Sequence, residues 1–190
     1  MPQEKHLVLW RTLHVPGAEY CMLARASGSW ELTGTVVTAL EGHPVQATYT
    51  VSCSRNWEMQ AVMVILTEGD IARSKVWTVD KKQRWYEAGD EVKRLRDCSV
   101  VDIGLTPATN TIPIRKLQLE VGQTHEITAA WITFPDFEIK KSKQQYTRIA
   151  NNRYHYESAT ATAELEVDEH GLVITYEGGW ERTAAAPSPR

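Results

Sequence analysis

Apolar residues recur at alternate positions along much of this chain, and no segment keeps a helical period over three turns. That pattern predicts an all-β fold. Leu32, Val36 and Leu40 share one face of a strand interrupted by Gly34, and Tyr49, Val51 and Cys53 alternate with Thr48, Thr50 and Ser52. Over 57–66 one parity is wholly apolar (Trp57, Met59, Ala61, Met63, Ile65), while the other passes from Glu58 and Gln60 to Val62, Val64 and Leu66. This strand is expected to enter the centre of the molecule. Farther on, Ala159, Ala161, Ala163, Leu165 and Val167 face inward, with alanines that leave room for a bulky neighbour. A turn over 168–171 then leads to Leu172, Ile174 and Tyr176, completing a hairpin. Short helical pieces are expected only around 139–149 and 90–96.

The segment 106–122, TPATNTIPIRKLQLEVG, combines a constrained loop with an apparent strand. Thr106 and Ile112 each precede a proline, which favours extended backbone, and Asn110 between them tolerates a left-handed turn. From Ile114 onward Leu117, Leu119 and Val121 alternate with Lys116, Gln118 and Glu120, placing Arg115 on the apolar side. An inward guanidinium either pairs with a buried carboxylate as scaffold or meets an anionic ligand group.

Two stretches resemble each other: residues 40–59 align with 119–139 when Val121 is treated as an insertion. Gly42 then matches Gly122, Trp57 matches Phe137 and Glu58 matches Glu138. Such a repeat implies a duplicated β-unit in which neither copy buries its face alone. The expected organisation is one domain over 1–182, made of two similar halves, and a disordered tail over 183–190, where alanine, proline and serine offer nothing to pack.

Composition narrows the function. A net charge of −3 without a lysine or arginine run argues against nucleic acid as a partner. The apolar run from Leu7 to Trp10 stops at Arg11, so neither a signal peptide nor a membrane span is expected, and a cytoplasmic location is. Three scattered cysteines, without C-x-x-C spacing, suit reduced thiols, with Cys53 as a small core residue. Seven tryptophans and seven tyrosines against two phenylalanines favour side chains with an apolar body and a polar tip, as binding clefts use.

The runs GAEYCML (17–23), YTVSCSRNW (49–57), DCSVVDIGLTPATNTIPIRKLQL (97–119), YTRIANNRYHYES (146–158) and GLVITYEG (171–178) together resemble the bacterial putative glycolipid-binding family. The likeness covers about 7–182. It implies a strongly curved antiparallel β-roll or half-barrel with internal duplication, akin to the lipoprotein carriers that hold acyl chains in an apolar trough. Gly104 departs from the acidic or bulkier residue expected there.

No catalytic motif, phosphate loop or dinucleotide fingerprint occurs, and no cofactor is implied. Asp168, Glu169 and His170 read as a solvated turn and not a metal site. The function favoured is binding of a lipid-like or glycolipid-like amphiphile. Arg115, Thr109, Asn110 and Thr111 would hold the head group, with Asp102 orienting the loop. Trp131, Met59, Met63 and the alanine-faced strand would line the trough, and Tyr146, Arg148, Tyr154 and Tyr156 would stack on sugar rings. The alternatives are an enzyme using Asp102 or His125 as acid or base, and an interaction module recruiting a chain at a sheet edge.

Overall fold

The computed structural model describes residues 4–26 and 28–187. Fifteen described strands join one sheet whose order is set by two meanders meeting at the chain ends. The first runs β1 (Glu4–Thr12), β2 (Ala18–Ala26), β3 (Ser29–Leu40), β4 (His43–Ser54), β5 (Met59–Glu68), β6 (Ile71–Val79), β7 (Trp85–Glu87) and β8 (Asp90–Glu91). The second runs β9 (Val100–Ile103), β10 (Thr124–Ile132), β11 (Ile139–Ala150), β12 (Arg153–Ser158), β13 (Thr162–Val167), β14 (Val173–Tyr176) and β15 (Trp180–Pro187). β1 pairs with both β2 and β15, so the two arms extend from a central seam. Neighbours are antiparallel except β9 and β10, whose crossover contains the one α-helix described, α1 (Thr111–Leu117).

The sheet curls so that both arms bury one core. Trp10, Trp77 and Trp85 are fully buried in it, and Trp85 Nε1 reaches the Cys98 carbonyl at 2.9 Å. The loop between β9 and α1 meets the first arm where Thr106 Oγ1 donates to Glu19 at 2.7 Å, and Lys116 on α1 bonds Glu58 at 2.8 Å. Cys53 is a buried free thiol against Met59 Sδ. The aligned repeats share uncommon backbone geometry: Gly42 and Gly122 have φ of 85° and 88°, and Trp57 and Phe137 have φ of 63° and 55°.

Several local expectations are corrected. Residues 111–117, expected as the end of the constrained loop and, from Ile114, the start of a strand, are helical, and Gln118 ends the helix in the left-handed region, with no strand over 118–121. Pro113 lies in the first turn, where its missing N–H costs nothing, and Ile112, Pro113 and Ile114 are all buried because the helix rests inside the curl. Residues 139–149 belong to β11: Lys141 and Lys143 of the basic run point to solvent, opposite buried Gln144 and Tyr146, and Lys140 is exposed near the start of the strand. Residues 90–96 hold the short β8 and a 3-10 turn (Lys93–Leu95). A bulge where β4 meets β5 shifts Cys53 onto Met59 and Ser52 onto Ala61, reversing the inward parity. Val62, Val64 and Leu66 therefore enter the core, while Met63 is 38% exposed. Ala159 and Ala161 are exposed, the inward set beginning at Ala163. Residues 183–187, expected to be disordered, continue β15 along β1, where the backbone partner of an open seam supplies what side chains do not; 188–190 lie outside the described residues.

Candidate functional site

A cavity of about 340 Å³ opens on the second arm, with a polar floor and aromatic walls. Asp102 on β9 contributes the floor, and Gln144 Nε2 donates to its Oδ2 at 2.6 Å, which fixes the carboxyl plane and leaves Oδ1 for the cavity. Its carboxyl lies deep although the residue as a whole is half-buried, and burial pushes its pKa up to about 6 against the lowering effect of the Gln144 bond. Asn110, just ahead of α1, presents a side chain held from behind: Tyr146 donates to Oδ1 at 2.8 Å, and Nδ2 donates to the Pro107 carbonyl at 3.0 Å.

The walls follow from strand register. Tyr146 and Tyr156 are cross-strand partners with ring centroids 5.2 Å apart. Tyr156 pairs with the small Ala163, and its ring stands 6.1 Å from Tyr176 on β14. Tyr176 in turn meets Trp180 edge-on at 5.3 Å across the turn at Gly178 and Gly179. Desolvation raises the phenol pKa of Tyr156 to about 12 and that of Tyr176 further, so both remain neutral donors. Trp131 on β10 closes the remaining side, and Gly104 permits this, because a Cβ there would stand 3.2 Å from Trp131 Nε1. His14 and Glu177 also line the cavity, and the Trp180 indole N–H has no protein partner.

Of the residues expected at a site, Asp102, Asn110, Trp131 and Tyr156 converge here, with Tyr146 directly behind. Thr109 and Thr111 are buried and serve the backbone: Thr109 Oγ1 accepts from Ile103 N at 3.3 Å, and Thr111 Oγ1 donates to the Gly171 carbonyl at 3.0 Å. Arg115, Arg148 and Tyr154 line a different depression, beyond the C-terminal end of α1. Arg115 is neither on a strand nor paired with a carboxylate. It donates to the Glu169 carbonyl at 3.1 Å and lies 5.9 Å over the Trp57 ring. Arg148 spends its donors on backbone carbonyls, at 2.7 Å from Leu119 O and 2.5 Å from Asn151 O. His125 is exposed on β10. Met59 is buried in the first arm and Met63 faces outward, so neither shares a wall with Trp131.

Sequence reasoning missed Tyr176, Trp180 and a buried acid beneath the cavity. Glu19 on β2 is 1% exposed, and it accepts from Tyr49 Oη at 2.5 Å and from Thr106 Oγ1 at 2.7 Å. Its Oε2 has no protein partner, and burial lifts its pKa to about 8, outweighing both hydrogen bonds. The available signal was parity, because Glu19 shares its face with Cys21 and Leu23. Thr106 lines the cavity, so this protonated acid stands one side chain away from it.

A family model described as "Putative glycolipid-binding" matches residues 7–182. The crystal structure of a DUF1089 family protein from Pseudomonas aeruginosa is similar, with 30% identity, a TM-score of 0.80, and coverage of 87% of this chain and 91% of that one. No curated protein matches. Among the described residues no helix is long and apolar enough to cross a membrane.

Proposed function

From the chain's membership of the putative glycolipid-binding family, we propose that it binds the sugar head group of a glycolipid-like amphiphile in the Asp102 cavity, with acyl chains left outside. The observation that carries this reading is the composition of the cavity. Trp131, Tyr156, Tyr176 and Trp180 surround a carboxyl oriented by Gln144 and an amide oriented by Tyr146. Sugar rings present apolar C–H faces that pack on aromatic rings, and hydroxyls that need fixed acceptors and donors. The volume, about 340 Å³, falls at the small end of ligand pockets, which span roughly 300–1,000 Å³, and favours a head group over a lipid tail. The interior of the curl supports the same choice, being filled by buried tryptophans and branched aliphatics in place of a trough.

Native mass spectrometry of the protein with a glycolipid, and with the same lipid lacking its sugar, tests the proposal. Retention of the glycolipid alone supports it. Equal retention of both would contradict it.

A hydrolytic reading has one observation in its favour. Asp102, with a pKa near 6, and Glu177 line the same cavity, and paired carboxyls in a sugar site are the equipment of glycoside hydrolysis. Release of free sugar from a bound glycolipid, abolished by Asp102→Asn, would favour it over binding alone.

A further inference from the structure

We propose that Glu4, His6 and His170 form a binding site for a zinc-class divalent cation at the seam of the sheet. Their ligand atoms all lie within 4.8 Å of one another. Glu4 and His6 stand on β1, and His170 is in the turn between β13 and β14. The two imidazoles stack with centroids 3.5 Å apart and planes 26° from parallel. His6 Nε2 faces Glu4 Oε1 at 3.2 Å, and His170 Nε2 faces Glu169 Oε1 at 3.3 Å. Two nitrogen donors and a carboxylate thus lie within reach of one ion once the imidazoles rotate out of their stack, with a second carboxylate beside them.

The donor set selects the ion. Imidazole nitrogens with one carboxylate suit Zn²⁺ and neighbouring borderline metals, whereas Mg²⁺ and Ca²⁺ require oxygen ligands. Three protein ligands leave a position for water or a further donor.

Both sides of the site are held in place. β1 pairs on either flank, His6 opposite Leu23 and opposite Pro187. Asp168 fixes the turn: its Oδ1 accepts from His170 N at 3.0 Å and Leu172 N at 2.9 Å, and its Oδ2 accepts from Arg182 at 2.6 Å. The backbone carrying the donors is therefore fixed, and only side-chain rotation is needed to coordinate an ion. An ion here staples β1 to a turn whose Gly171 carbonyl receives Thr111 from α1, so it braces the helix that Asn110 immediately precedes at the cavity. None of the three ligands lines that cavity, which makes the metal site independent of the sugar-binding proposal.

The test is calorimetric titration of Zn²⁺ into the untagged full chain, compared with His170→Ala and a His6→Ala/His170→Ala double variant. Electron paramagnetic resonance of one equivalent of Cu²⁺ on the wild type accompanies it. The expected result is about one Zn²⁺ per chain, weakened at least about tenfold by His170→Ala, and a Cu²⁺ spectrum carrying coupling to two nitrogens. Zn²⁺ uptake by the double variant equal to that of the wild type would overturn the proposal. If either variant fails to fold, a Cu²⁺ spectrum without coupling to two nitrogens overturns it instead.

Discussion

Tyr49 lies across Gly34, its cross-strand partner, so closely that a Cβ on residue 34 would stand 2.3 Å from the phenol ring. The missing side chain is what lets the ring cross β3 and place its hydroxyl 2.5 Å from Glu19 on β2. Gly34→Ala must push the ring away through a packed core. We expect it to cost about 3 kcal/mol, read as a lowered denaturant midpoint with an unchanged slope.

Glu19 makes stability depend on pH in an unusual direction. Its folded pKa is raised from 4.5 to about 8, so between those values the folded state holds a proton that the unfolded state has lost. Its contribution is fully present below pH 4.5 and is lost as pH rises through about 8. The fall should approach about 1.4 kcal/mol per pH unit within that window. Glu19→Gln should remove this slope, as measured by chemical denaturation at several pH values; an unchanged slope would assign the dependence elsewhere.

Asp102 gives the proposed sugar site its own pH response. Because its pKa is lifted to about 6, the carboxylate that accepts sugar hydroxyls is formed only above that value. Head-group affinity should rise as pH increases through 6 and then level off. Asp102→Asn should bind about tenfold more weakly at pH 8 and show no such rise.

Arg115→Leu separates scaffold from ligand contact. The side chain is partly exposed and makes one bond to a carbonyl and one stacking contact over Trp57. Its loss should cost about 1 kcal/mol, a shift of roughly 2–4 °C in Tm for a chain of this size, with sugar affinity unchanged. A drop in affinity at constant stability would move the ligand towards the far end of α1.

How much of this was legible in the sequence depended on whether an element had one solvent face. β4 was readable because Tyr49, Val51 and Cys53 are buried while the residues between them are less so. α1 was not, since seven residues are too few to show a helical period, and Ile112, Pro113 and Ile114 are buried in succession. The bulge opposite Cys53 reversed β5 without any mark in the side chains. At the site, Asp102, Asn110, Trp131 and Tyr156 stood out by residue type, yet their convergence depends on the parallel pairing of β9 with β10 and on the order of the second arm. Trp180 escaped notice because it opens a strand whose remainder, rich in alanine, has no inward pattern and owes its order to β1.

The central claim, that the sugar is what the Asp102 cavity recognises, is tested most directly by calorimetric titration of a free head-group oligosaccharide, without lipid, into the wild type and Trp131→Ala. Saturable binding of the oligosaccharide, weakened about tenfold or more in Trp131→Ala, is the predicted result. Binding of intact glycolipid with no measurable binding of its free head group would contradict the account and return recognition to the lipid portion.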